Sequence, residues 1–239
     1  MTEEYPPRHP VSGGVMITLP FSGLWLAQNS PARRVPSHGS DLMGERYAID
    51  FVGVDDRRRS APRRDWRTLL ATEPAERFFA FGRSVLAPVG GIVVAAHDGE
   101  VDHVARRSQL ALVPYALSQG ARLRQGLNAI AGNHLIIAAR DSDAFIALVH
   151  LRSGSVGVRV GEQVVTGQPL AECGNSGNST QPHLHVQAMD SLDLATARGI
   201  PMQFRHFRER ARGASQFSRR QSGIPAEGSV VQALTDPSR

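Results

Sequence analysis

The chain contains no lysine, so all 27 of its Lys-plus-Arg residues are arginine. That absence excludes Schiff-base catalysis, a lysine general base and every carrier domain that needs a modified lysine. There is a single cysteine, Cys173. One cysteine cannot build an internal disulfide framework, and its setting reads as that of a small buried hydrophobe. No apolar run reaches about 18 residues, so the sequence offers no membrane-spanning helix. The helical zinc-protease motif His-Glu-x-x-His is missing, which argues against that class of metalloprotease. The start, Met1-Thr2-Glu3-Glu4-Tyr5-Pro6-Pro7, is acidic and lacks the basic-then-apolar pattern of a secretory signal. As encoded, the chain reads as cytoplasmic, or as a processed or re-started form of an exported protein. No repeat with a period of about 20 to 50 residues is present.

What is present fits an ordinary core. At 239 residues and 41% hydrophobic, the chain suits one large domain or two small ones. Its net charge is +5 and its pI about 10.5. Arginines cluster at 57–59, 63–64, 106–107 and 205–220. Such clusters read as a solvated basic surface, or as attraction to an anionic polymer such as bacterial cell wall or nucleic acid. Aromatic residues are not interleaved with them as on a single-strand binding surface, so nucleic acid is not an expected partner.

Along the chain, residues 1–13 read as a flexible lead. Val15 to Trp25 looks like an edge strand, and Arg46 to Val52 like a second strand. Residues 55–80 and 102–131 read as insertions of partly helical pattern, the first around Trp66, Leu69, Leu70, Phe78 and Phe79, the second over Leu117 to Ile130. From residue 82 the rhythm is all-β: strands over Val85 to Ala96, His134 to Ala139 and Ala144 to His150, then short strands over Val158 to Ala171. Close, regular spacing of short strands predicts a mainly β fold, a sandwich or barrel. Residues 14–208 are expected to form one domain. Residues 209–239 are expected to be a polar tail, with Ile224 to Val231 available as a terminal strand.

The strongest motif is Gly174-Asn175-Ser176-Gly177-Asn178-Ser179-Thr180-Gln181-Pro182-His183-Leu184-His185-Val186. Alternate side chains of a strand share a face, so His183 and His185 point the same way, with Cα atoms about 7 Å apart. The turn-forming run before them keeps the nearby backbone slim. A catalytic zinc site offers three protein ligands and one open position. His185 can supply one. His38 sits in a loop before a strand. Asp50 lies between Ile49 and Phe51, and an acid in an apolar strand is costly unless paired with a cation such as an arginine or bound to a metal. Counting by twos from His150 puts it with Leu148 and Ile146, facing the core, while its place at the strand end, before Arg152-Ser153-Gly154, also suits a cleft rim.

Together these residues resemble the lysostaphin-type, or LytM-like, zinc metallopeptidases, which cleave peptide cross-links of bacterial peptidoglycan. The features are Ala87-Pro88-Val89-Gly90-Gly91-Ile92-Val93, Gly132-Asn133-His134-Leu135-Ile136-Ile137, Leu148-Val149-His150-Leu151, Val160-Gly161-Glu162-Gln163-Val164-Val165-Thr166-Gly167-Gln168, and the run from Gly174 to His185, in that order. The resemblance implies an antiparallel β-sheet groove of the duplicated hybrid motif kind. It implies zinc held by His38, Asp50 and His185, with His150 and His183 as catalytic histidines. In that scheme His150 orients or deprotonates the water and His183 stabilises the tetrahedral intermediate. It also implies a peptidoglycan peptide as substrate and an extracellular or cell-wall location. The family's first ligand pair is usually His-x-x-x-Asp. Here eleven residues separate His38 from Asp50, which leaves Asp41 as a competing acid ligand. His9, His97, His103, His134 and His206 have no matching role. The alternative function is a non-catalytic binding or activator module of the same fold. A biotinyl or lipoyl carrier, whose glycine-turn hairpins look similar, is excluded by the missing lysine.

Overall fold

The computed structural model describes residues 14–62, 72–106 and 130–234. The fold is mainly β, built from thirteen strands: β1 Val15–Thr18, β2 Trp25–Gln28, β3 Ile49–Gly53, β4 Ser84–Leu86, β5 Gly91–His97, β6 Asn133–Ala139, β7 Phe145–Leu151, β8 Gln163–Val164, β9 Pro169–Glu172, β10 Leu184–Met189, β11 Met202–Arg210, β12 Ser218–Gly223 and β13 Val230–Ala233. Of these, β4 and β9 pair apart from the rest. All others join one sheet in the order β1-β11-β13-β2-β3-β10-β7-β6-β5-β8, with β12 on the outer side of β11. The sheet is mixed, because β1 runs parallel to β11 while the other pairs are antiparallel. The expected helical pattern at Trp66, Leu69 and Leu70 and over residues 117–129 lies outside the described residues.

The two faces of the sheet differ. One carries the main core, including Phe21, Trp25, Phe51, Ile137, Leu148, Val186 and Phe204. Phe21 stacks on Trp25 at 4.5 Å and meets Phe51 edge-on at 4.9 Å. Burial of these side chains contributes on the order of 2 kcal/mol each. The other face carries a smaller cluster, including Ile136, Phe145, Ala147, Val149 and Met189. Beside that cluster opens a groove of about 590 Å³. Cys173 is fully buried, and burial raises its thiol pKa, so the thiol stays protonated and inert. No helix among the described residues is long and apolar enough to cross a membrane.

Gly132 shows how the floor of the groove is held. Its φ is +64°, and a Cβ there would lie 2.5 Å from Ser176 Oγ and 2.6 Å from the Gly177 nitrogen. Neither contact can yield without moving the Ser176 turn. Gly132→Ala should therefore cost about 2–4 kcal/mol. A denaturant midpoint that does not move would contradict that.

Candidate metal centre

Strand β10 delivers three groove-facing residues by simple alternation. Leu184, Val186 and Ala188 enter the main core, while His185, Gln187 and Met189 line the groove, with His183 just before them. The neighbouring β3 repeats the pattern: Ile49 and Phe51 face the core and Asp50 faces the groove. His185 and Asp50 are directly opposite in the antiparallel register. Side chains so placed start about 5 Å apart, and here His185 Nδ1 comes to 2.9 Å from Asp50 Oδ1.

His38 arrives from the preceding loop, with Nε2 3.2 Å from Asp50 Oδ2. Its other nitrogen lies 3.0 Å from Ser37 Oγ, and that hydroxyl donates to the Glu45 carbonyl at 3.2 Å. Without a metal, His38 Nε2–H donates to Asp50 Oδ2, and on binding a metal the same nitrogen would offer its lone pair instead. A ring nitrogen and a carboxylate oxygen so placed can share a cation in place of that proton. One ligand atom each from His38, Asp50 and His185 lie within 4.8 Å of one another. Two imidazole nitrogens and one carboxylate oxygen match the donor set of a catalytic zinc site with one position left open. Asp41 is elsewhere: its side chain is 59% exposed and pairs with Arg46 at 2.7 Å, whereas that of Asp50 is 11% exposed.

His150 reaches the groove by a route that alternation does not give. Asn133 pairs with Leu151 and His134 with Val149, so His150 is the extra residue of a β-bulge. Its φ is +65°, the left-handed region. A bulge re-aims the side chain at that point. The counting that put His150 with Leu148 and Ile146 in the core is thereby corrected: its ring stands 4.7 Å from that of His183 and 6.1 Å from that of His185. His150 Nδ1–H donates to the Ser176 carbonyl at 2.9 Å, and Ser176 Oγ donates to the Leu151 carbonyl at 2.7 Å. His183 Nδ1–H likewise donates to the Gln181 carbonyl at 2.8 Å. Each ring is left with Nε2 as its free nitrogen.

Two polar residues that the sequence reading did not single out complete the site. Asn29 Nδ2 donates to Asp50 Oδ2 at 2.7 Å. Gln187 accepts from His185 Nε2–H at 2.9 Å and donates to the Met43 carbonyl at 2.8 Å. The Met43 carbonyl can only accept, so it fixes which way the Gln187 amide points. The amide in turn keeps the His185 proton on Nε2 and turns Nδ1 inward. Partners of this kind are typically worth 10- to 100-fold in metal affinity. Gln187→Leu should weaken zinc binding by about that factor in a chelator competition, while Gln187→Glu, which still accepts, should retain most of it. Equal affinities in all three proteins would contradict this role. Position 187 was legible as groove-facing from its spacing to His183 and His185.

Burial alone would raise the Asp50 pKa, but the charge of His183 and hydrogen bonds from His185 and His38 hold it well below the usual carboxylate range. Burial disfavours charge on His185 too, yet the hydrogen bond and charge of Asp50 outweigh it and lift its pKa to about 9. Burial, then repulsion from His183 and His185, pushes His150 well down. Burial also lowers His183, against the pull of Asp50. The neutral-pH site is thus an Asp50 carboxylate and a His185 imidazolium flanked by two neutral histidines. A metal must displace the His185 Nδ1 proton. Zinc affinity should therefore rise about tenfold per pH unit up to pH about 9 and then level off. Isothermal titration across that range checks it, and a flat profile would refute it.

Residues 79–194 match the model of Peptidase family M23. The segment includes His150, His183 and His185, while His38 and Asp50 precede it. No curated protein matches the chain in sequence. Among solved structures, the catalytic domain of the antimicrobial peptidase lysostaphin from Staphylococcus simulans is 21% identical, over 54% of this chain and 84% of that one, with a TM-score of 0.33. LytU is 24% identical over 50% of this chain and 62% of its own, with a TM-score of 0.32. The catalytic domain of the prophage-encoded M23 protein EnpA from Enterococcus faecalis, as a point mutant, is 16% identical over 59% of this chain and 94% of that domain, at 0.34. Superpositions that loose carry no functional weight. The family match does carry weight, and by it residues 79–194 belong to peptidase family M23.

Proposed function

We propose that this chain is a zinc-dependent endopeptidase that hydrolyses peptide cross-links of bacterial peptidoglycan, acting at the cell wall. The observation that carries the reading is the convergence of His38, Asp50 and His185 within 4.8 Å, with two neutral histidines beside them. In this reading residues 14–208 carry the catalytic domain, and the end of β11 with β12 and β13 continues its sheet to residue 233. His38 Nε2, an Asp50 oxygen and His185 Nδ1 would hold the metal. When bound, zinc supplies Lewis acidity, which activates a water and polarises the scissile carbonyl.

The protein's own groups supply the proton traffic. His150 Nε2 is the acceptor. Its Nδ1 is spent on the Ser176 carbonyl, and burial with repulsion from His183 and His185 outweighs the pull of Asp50 and leaves Nε2 unprotonated, so it takes the proton of the attacking water. His183 Nε2 stands 3.7 Å from Asp50 Oδ1. That carboxylate favours a proton on His183 Nε2 against the cost of burial, and with Nδ1–H held by the Gln181 carbonyl it is this doubly protonated form of His183 that donates to the developing oxyanion. The proton held by His150 then passes to the leaving amine. The site needs no covalent intermediate.

The test is zinc content by elemental analysis, paired with release of free amino groups from purified peptidoglycan. Expected are about one zinc per chain and hydrolysis that a chelator stops and zinc restores. A chain that takes up no zinc and cleaves nothing would instead be a binding or activator module of this fold.

A further inference from the structure

Strand register places a second set of charged residues on the same face of the sheet as the metal-type site. Asp50 and Val52 lie on one face of β3, and Val52 is opposite Leu26. Leu26 is opposite Val230, Val230 opposite Arg210, and Arg208 opposite Arg219. Directly opposed residues share a face. Arg208, Arg210 and Arg219 therefore lie on Asp50's side, three to four strand spacings away, or about 14–19 Å. The one carboxylate of the β11–β12 hairpin, Glu209, is on the other face, buried and paired with Arg220.

Several features of this group oppose folding. Arg208 and Arg219 are like charges directly opposed across an antiparallel pair, a destabilising arrangement. The Arg208 and Arg210 guanidinium groups lie 4.7 and 4.9 Å from the same Phe217 ring. Arg58, in a left-handed conformation at φ +62°, brings a fourth guanidinium against the Gly228, Arg210 and Ala211 carbonyls. Arg208 bonds the Gln232 amide oxygen and Arg210 the Asp56 carbonyl. These acceptors are neutral, so they order the guanidinium groups without cancelling their charge. Arg210 Nε is buried with no partner. Charge on an edge strand guards against aggregation, but guarding does not call for two facing arginines or a strained third.

We propose that Arg58, Arg208, Arg210 and Arg219 form a docking site for a phosphodiester-bearing anionic glycopolymer of the kind attached to peptidoglycan, which holds the wall while the His38–Asp50–His185 groove works on its peptides. Guanidinium forks match phosphate geometry, and an anion at this position relieves the Arg208–Arg219 repulsion. Nucleic acid is disfavoured because Phe217, the aromatic at the site, is already engaged by Arg208 and Arg210, and a lone aromatic is not the run of stacking platforms a single strand requires. The hairpin lies outside the segment that matches the family, residues 79–194. The choice of polymer rests on the peptidase reading.

The experiment is cosedimentation of the full chain with Gram-positive walls, before and after acid removal of the phosphate polymer, and fluorescence titration with poly(glycerol phosphate) over a salt series. Expected is binding that falls at least about tenfold on stripped walls and about tenfold again in Arg208→Gln/Arg219→Gln. The slope of log affinity against log salt should shrink by about two in that variant. Arg219→Gln alone, at an exposed edge position, should reduce it by about one, which covers the case of a double variant that folds poorly. Zinc content and cleavage of a soluble peptide should not change in either. Undiminished binding to stripped walls, unchanged binding by the variants, or tighter binding of a DNA duplex of equal charge would each overturn the proposal. Loss of hydrolysis with docking intact would count against the peptidase reading alone.

Discussion

Asp50→Ala should take the zinc content from about one per chain to near zero, because among the described residues Asp50 is the acid that touches both His38 and His185. The same substitution should destabilise the metal-free protein. The carboxylate lifts the His185 pKa to about 9. That pair therefore contributes stability in full below the unfolded histidine pKa of about 6.5, and loses it as pH rises through about 9. Removing one partner of a buried pair costs about 3 kcal/mol or more, so the variant's deficit should be largest near pH 6 and shrink toward pH 10. Denaturant melts at both ends of that range, beside elemental analysis, would check both halves. Zinc retained without Asp50 would reopen the claim of Asp41.

His183→Ala should behave in the opposite way, keeping zinc and losing hydrolysis. The His183 ring is buried against the site, but its nitrogens are not among the converging ligand atoms. Its Nδ1 is committed to the Gln181 carbonyl. Loss of a positioned proton donor or acceptor typically costs 10²- to 10⁴-fold. We expect about 10³-fold in kcat/KM, with zinc content unchanged. A fully active variant would mean that His183 has no part in the chemistry. Loss of metal together with activity would place it in the ligand set.

Much of this site could be read from the sequence, and what could not has identifiable causes. Asp50 stood out as an acid in an apolar strand, and His183 and His185 as a same-face pair; both are period-two facts that survive folding unchanged. Cys173 likewise sat where an apolar residue belongs. His150 could not be placed by counting, because one inserted residue with a left-handed φ reverses the parity of the strand at that point. No local signal marks such a bulge in Val149-His150-Leu151. Gln187 was in phase with the histidines, but its importance depends on the Met43 carbonyl, 144 residues away in sequence. Asn29 is tied to Asp50 by a contact across 21 residues, which no spacing rule anticipates. The arginines at 208 and 219 were visible as a charge cluster, yet only the pairing of β11 with β12 turns them to face each other.

The place of β13 has a consequence for how the protein acquires its site. This strand is threaded between β11 and β2, and its partner Leu26 lies about 200 residues before Val230. β2 in turn flanks β3, which carries Asp50. On the ribosome, β2 emerges about 200 residues before β13 and waits, with its outer edge open, until that strand follows. Contacts of such long range form slowly, because the loop must close before they are rewarded. The acid ligand should therefore gain its final support in the last folding steps, and the nascent chain should bind zinc only weakly until then.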